Sequence, residues 1–262
     1  MLESLIGEGV GALAIAAIAG LACGFLNTVA SSGSAVSLPI LMMIGLDPIT
    51  ANATNRIPVL IGGVSATASF HRRKVMPWGL ALKVSAPVTI GAIGGALLAE
   101  WLPSRELGLV ITGAVLLALL LLFTKVKKIL ETATSDTIRF GMREILVFLG
   151  IGAWLGFIVL DGATYMLLVL VLMVGAALVP ANAIKSAVLV PTSIVAIAIF
   201  IWKGHIDWEF GAAMALGSIA GGILGAQLAT SANARKWIFR LLVFVIVAEL
   251  VHLAIHYLGE TV

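Results

Sequence analysis

Apolar runs separated by short polar clusters recur along the whole chain. They occupy positions 5–30, 34–46, 54–71, 79–102, 107–124, 145–160, 163–179, 184–202, 210–229 and 236–258. A helix crossing roughly 30 Å of hydrocarbon needs about 20 apolar residues, and most of these runs approach that length. Three are shorter: 34–46, 145–160 and 163–179. At 1.5 Å per residue the first covers only about 20 Å. The pattern predicts an all-α, polytopic membrane protein of about ten apolar helical segments, some of them broken or re-entrant.

The pattern also repeats. A shift of 130 residues lays Ala51-Asn52-Ala53 on Ala181-Asn182-Ala183, Trp78 on Trp208, Gly91 on Gly221 and Gly95 on Gly225. A slightly larger shift lays Gly20, Gly24 and Phe25 on Gly152, Gly156 and Phe157. One offset shared by several landmarks predicts two repeats of five segments, residues 1–124 and 145–262, joined by a polar linker over 125–144. An odd number of segments per repeat places the two copies in opposite orientations. Interrupted segments at matching places in two such halves point to a transporter binding site.

Composition supports the membrane reading. The chain of 262 residues is 61% hydrophobic and 11% charged, whereas soluble domains carry about 25% charged residues. The net charge of +3 is small, and nothing in it points to nucleic acid. Its placement is informative. Eleven of the 16 Lys and Arg residues fall in three stretches: Arg72 to Lys74; Lys125, Lys127, Lys128, Arg139 and Arg143; and Arg235, Lys236 and Arg240. With ten alternating segments all three lie on one side, which the positive-inside rule makes cytoplasmic. Both termini are then expected outside. The N-terminus carries Glu3 and Glu8 but no Lys or Arg, so the first apolar run is expected to remain rather than act as a signal peptide. The lone Cys23 excludes an internal disulfide and a cysteine-based metal cluster, and no metal site is expected.

Polar residues inside such apolar surroundings cost several kcal/mol each unless they line a cavity or meet protein partners. They concentrate between Gly24 and Pro58. Asn27, Thr28, Ser31, Ser32 and Ser34 surround a helix break, and Asn52 and Arg56 begin the next long segment. Asn182 and Lys185 recur in the second half. Cations near the bilayer centre cost about 2.5 kcal/mol or more each and commonly mark a substrate path. Helix N-termini add unpaired N–H groups and a positive dipole end. Arg grips two oxygens of an oxyanion at once. These nine residues are therefore the candidate binding site for a small anion near the midplane. The plainer readings are snorkelling for the two cations, capping for the two asparagines and packing for the serines. Asp161 is read three ways: as a counter-charge to Lys185, as a proton carrier, or as part of a short outer loop. Glu249 and His252, with His256, share one helical face and are candidates for proton relay. No phosphate-binding loop or catalytic motif appears in a supporting context. Transport, if that is the function, runs down a gradient or is coupled to H⁺ or Na⁺, without any other cofactor.

Several of these features occur together in a known family. The polar-glycine break is followed by Leu38-Pro39-Ile40-Leu41, then Pro48 and Ala51 to Thr54, the basic Arg72 to Lys74 with Trp78, and the glycines Gly91, Gly94 and Gly95. The second half echoes them in Gly156, Pro180 to Ala183, Trp208, Gly221 and Gly225. The chain resembles the TauE/SafE sulfite exporter family over nearly its whole length. It departs from the family in having Ser31-Ser32-Gly33-Ser34 where a run of glycines is usual. The resemblance implies a multi-pass protein of the bacterial cytoplasmic membrane that exports or imports a small sulfur oxyanion or organosulfonate, such as sulfite, sulfoacetate or thiosulfate. Alternating access about the anion site is the expected mechanism. A permease for another small solute and a non-transporting membrane assembly or sensor protein are the alternatives. The sequence leaves the oligomeric state open.

Overall fold

The computed structural model describes residues 9–29, 31–103, 106, 110, 138–160 and 162–231. Among these the chain is helical, in nine helices: α1 (Gly9–Val29), α2 (Gly33–Met43), α3 (Pro48–Thr54), α4 (Arg56–Arg72), α5 (Trp78–Trp101), α6 (Met142–Phe157), α7 (Gly162–Leu172), α8 (Leu178–Lys203) and α9 (Trp208–Ala229). Eight of the predicted segments carry a helix. The segments 107–124 (apart from Val110) and 236–258, most of the 125–144 linker, Asp161, Glu249 and His252 lie outside the described residues. Four helices, α1, α5, α8 and α9, are long and apolar enough to cross a membrane. The short helices α2 and α7 have 11 residues each, about 16 Å of rise.

Local chemistry explains where the helices begin and break. Asp47 caps α3, its carboxylate accepting from the backbone N–H of Ile49 at 3.1 Å and Thr50 at 3.3 Å, with Pro48 in the first turn. Only Asn55 separates α3 from α4, and its backbone is close to helical, at φ −63° and ψ −14°. Pro58 favours the interruption, since it has no N–H to give the Thr54 carbonyl and its ring crowds it, although Pro87 in α5 and Pro191 in α8 leave those helices continuous. The corresponding position in α8 is Val188, and α8 runs unbroken for 26 residues. Gly204 ends α8 in the left-handed conformation at φ 75°. Asp207 then caps α9, accepting from Glu209 N and Phe210 N.

Small residues set how the helices pack. In α1 and α9, Gly20 and Gly24 lie against the backbone of Met214 and Ser218, while Gly217 and Gly221 lie against Ala17 and Leu21. Residue numbers rise together along the contact, so the two helices run parallel. The same holds for α5 and α6, where Gly91 and Gly95 abut Leu149 and Ala153, and Gly152 and Gly156 abut Val88 and Ala92. Backbones come this close only where no Cβ intervenes. Helix α4 also runs parallel to α9: Ile57 meets Gly211, Ser218 donates to the Pro58 carbonyl at 2.6 Å, and Ser65 meets Gly222. Helix α8 packs on both α4 and α5. Large apolar side chains such as Ile18, Leu82, Ile90 and Leu216 remain exposed on the outside, as a lipid-facing surface requires.

Candidate substrate site

The polar residues of the apolar chain are buried together at two helix ends. Helix α1 stops at Val29 and α2 begins at Gly33. Between them Ser31 adopts φ 65°, a left-handed conformation that few non-glycine residues accept. Asn27 bridges the break: its Oδ1 accepts from Gly33 N at 2.9 Å, satisfying a free N–H of α2. Its Nδ2 faces Cys23 Sγ at 3.5 Å. Thr28 bonds back to the Gly24 carbonyl at 2.7 Å.

Lys185 arrives at this break from α8. Its fully buried ammonium donates to Ser31 Oγ at 2.7 Å, Asn182 Oδ1 at 2.8 Å and the Thr28 carbonyl at 3.3 Å. Three N–H donors thus meet three acceptors. Arg56 makes the reciprocal reach. From the start of α4 its guanidinium donates to the carbonyls of Leu155 and Gly156, the latter at 2.8 Å, and to Asn52 Oδ1 at 3.4 Å. Asn52 Nδ2 completes the set by donating to the Phe157 carbonyl at 3.0 Å. Both cations therefore sit at helix C-termini, α1 for Lys185 and α6 for Arg56, where unpaired carbonyls and the negative dipole end favour positive charge. Phe200 covers the guanidinium, its ring centroid 5.6 Å away.

The candidate residues thus divide into two clusters. Lys185, Asn182, Ser31, Thr28 and Asn27 meet at the α1–α2 break, and Arg56 and Asn52 meet at the end of α6. Among the described residues no hydrogen bond joins the two clusters. Thr164, at the start of α7, does link the two breaks, its hydroxyl lying 3.3 Å from the Ser31 carbonyl.

Further polar residues complete the first cluster. Ser37, one turn into α2, donates to Asn55 Oδ1 at 2.6 Å, and the Cys23 thiol lies 4.0 Å from the same oxygen. The repeat offset held the signal for Asn55, since 130 residues separate it from Lys185. At the sequence offset that lays Gly24 on Gly156, Cys23 and Asn27 fall on Leu155 and Val159, so the break after α6 lacks the polar side chains of the break after α1.

Five buried polar groups in and beside these clusters have no hydrogen-bond partner among the described residues: Ser32 Oγ, Ser34 Oγ, Asn55 Nδ2, Asn182 Nδ2 and Arg56 Nε. All can donate. Uncompensated buried donors are costly, and a bound group rich in acceptors would relieve them.

Comparison with known proteins identifies the family. The family model described as "Sulfite exporter TauE/SafE" matches residues 16–252. The "Probable membrane transporter protein YfcA" of Escherichia coli K12 is 27% identical over 209 residues, covering 79% of this chain and 77% of the relative. The "Probable membrane transporter protein ORF9" of a Sinorhizobium species is 26% identical over 241 residues, covering 92% of each. A "Probable membrane transporter protein" of Haemophilus influenzae is 25% identical over 229 residues, covering 84% of this chain and 86% of the relative. No solved structure matches the chain. With buried cations at two helix breaks, glycine-packed apolar helices and a family match over most of its length, the chain belongs to the TauE/SafE sulfite exporter family of membrane transporters.

Proposed function

We propose that the protein is a secondary transporter, acting as an exporter, of a small sulfur-containing anion such as sulfite, sulfoacetate or another organosulfonate. One observation carries this reading: the unpaired buried groups around the α1–α2 break and beside Arg56 can all donate, and Lys185 stands among them. A sulfonate or sulfite brings three oxygens and negative charge, which such a set complements. Ser32, Ser34 and Asn55 supply neutral donors, and Lys185 supplies charge. Asn27, Thr28 and Ser31 shape the break. Arg56 and Asn52 hold the end of α6, and Arg56 Nε has no hydrogen-bond partner among the described residues. Asp161, Glu249 and His252 stay candidates for coupling to H⁺, with Na⁺ the other possible driving ion.

The reading includes an architecture. The chain forms two inverted repeats of five segments, residues 1–124 and 145–262, in a bacterial cytoplasmic membrane with both termini outside. The packing directions support this. Helix α4 runs parallel to α9, and α5 returns from α4 through a short loop, so α5 and α9, which occupy equivalent places in the repeat, run in opposite directions. Rocking of one repeat against the other about the breaks would expose the site to each side in turn.

Flux in proteoliposomes tests the proposal. Sulfite or sulfoacetate should move faster than sulfate, chloride or a neutral amino acid. Faster movement of a cation or a zwitterion than of any sulfur anion would overturn it.

A further inference from the structure

Trp101, Trp202 and Trp208 are exposed at one end of the helix assembly, at 87%, 89% and 58%. Tryptophans gather where membrane meets water. Here the end of α5 meets the loop that joins α8 to α9, and one residue from each makes the join. The Glu100 side chain is only 3% exposed, and its Oε2 lies 3.5 Å from His205 Nε2. Its Oε1 is buried without a hydrogen-bond partner among the described residues. His205 is 36% exposed and so open to the solvent side. A buried carboxylate is costly as a lone anion and is relieved by an adjacent cation or by a proton.

The charged surroundings of the pair are simple among the described residues. Lys203, at the end of α8, is the other charge that acts on Glu100. Asp207 and Glu209 follow in the same stretch, and the Asp207 carboxylate is taken up by the first turn of α9. Asp207 N donates to Thr54 Oγ1 at 3.0 Å, which ties the loop to α3. The repeat offset places Thr230 where Glu100 stands and Val75 where His205 stands. Neither of these two residues ionises: Thr230 bonds its own helix carbonyls, and Val75 packs with Met76 against the cluster that holds Phe70, Ala226 and Ala229. The ionisable pair is thus present at one join, and the equivalent two positions at the other join carry a threonine and a valine.

We propose that Glu100 and His205 form a proton-binding clasp between α5 and the α8–α9 loop. A proton on His205 faces the ionised Glu100 and holds this end of the molecule together. Its departure leaves a neutral imidazole beside a buried anion and eases the join open. Histidine is the side chain suited to change charge between pH 5 and 8. The clasp holds where the imidazole carries a proton and the carboxylate does not; it weakens as pH rises and the imidazole gives up its proton, and in strong acid it is lost again as Glu100 takes one up. It does not depend on which solute the protein carries.

Thermal melting of the full chain in detergent, between pH 5.5 and 8, tests the clasp without substrate. Wild type should melt about 2–4 °C above His205→Gln at pH 5.5, and the gap should close by pH 8. Glu100→Gln should behave likewise, and the double variant should fall no lower than either single one. His71→Gln, at a different join, should keep the wild-type profile. Parallel profiles for wild type and His205→Gln would overturn the clasp. Because His205 is half-buried rather than core, that variant decides the matter even if Glu100→Gln fails to fold.

Discussion

Lys185 and Ser31 stand 154 residues apart in sequence, and the ammonium of one meets the hydroxyl of the other at 2.7 Å. The bond holds a serine in a left-handed turn at the end of α1, using a cation from the opposite half of the chain. Removing the ammonium by Lys185→Met leaves three acceptors without a donor, each worth about 1.5–3 kcal/mol as a charge-assisted bond. It also removes a cation whose burial in a membrane costs about 2.5 kcal/mol or more. These contributions oppose each other, so the melting temperature should fall by less than the loss of three bonds alone would give. Anion flux should fall more than tenfold. Wild-type flux in this variant would remove Lys185 from the site.

Arg56 makes a different demand. Its fork spans two successive carbonyls, those of Leu155 and Gly156. Lysine keeps the charge but offers no fork. Arg56→Lys should therefore loosen the end of α6, with a loss of about 1–3 kcal/mol. Hydrogen exchange at the Ile158 and Val159 amides reads this locally, and it should speed up there while α1 stays protected. Unchanged exchange at those amides would mean that Arg56 does not hold the helix end.

Sequence and structure agree where the signal is local or periodic. Eight apolar spans and the break after Val29 could be read from spacing, because each depends on residues a few positions apart. The reach of each cation to the other half could not. The pairings of Arg56 with Leu155 and Gly156 and of Lys185 with Thr28 and Ser31 span about a hundred residues or more, and no helical period encodes them. The separate helix α3 was also hidden, since Pro58 favours a break at Asn55 while Pro87 and Pro191 leave α5 and α8 continuous. Ser37 was hidden for another reason: a serine inside an apolar helix reads as packing until its partner, Asn55, is known.

Glycine packing gives a sharp contrast within α5. A Cβ on Gly95 would meet the backbone of Ala153 and Phe157, whereas one on Gly94 meets nothing within 4 Å. Gly95→Val should destabilise by about 1–3 kcal/mol or more through overpacking. Gly94→Val should be tolerated as a lipid-facing change. Size-exclusion profiles and melting in detergent distinguish the two, and equal behaviour would contradict the close α5–α6 contact.

Asn55 offers the most selective test of the site. Its Oδ1 already accepts from Ser37 at 2.6 Å, while its Nδ2 is buried with no partner among the described residues. Asn55→Asp keeps the shape and the bond from Ser37 but replaces the open donor with an acceptor. If Nδ2 faces a transported anion, a carboxylate there repels it, and flux should fall at least tenfold at neutral pH. Lowering the pH should restore part of that flux, because the introduced carboxyl, once protonated, is again neutral and able to donate. The companion variant Asn55→Leu, which cannot titrate, should show no such recovery. The pH response, rather than the loss alone, separates a group that meets the anion from one that only supports the fold.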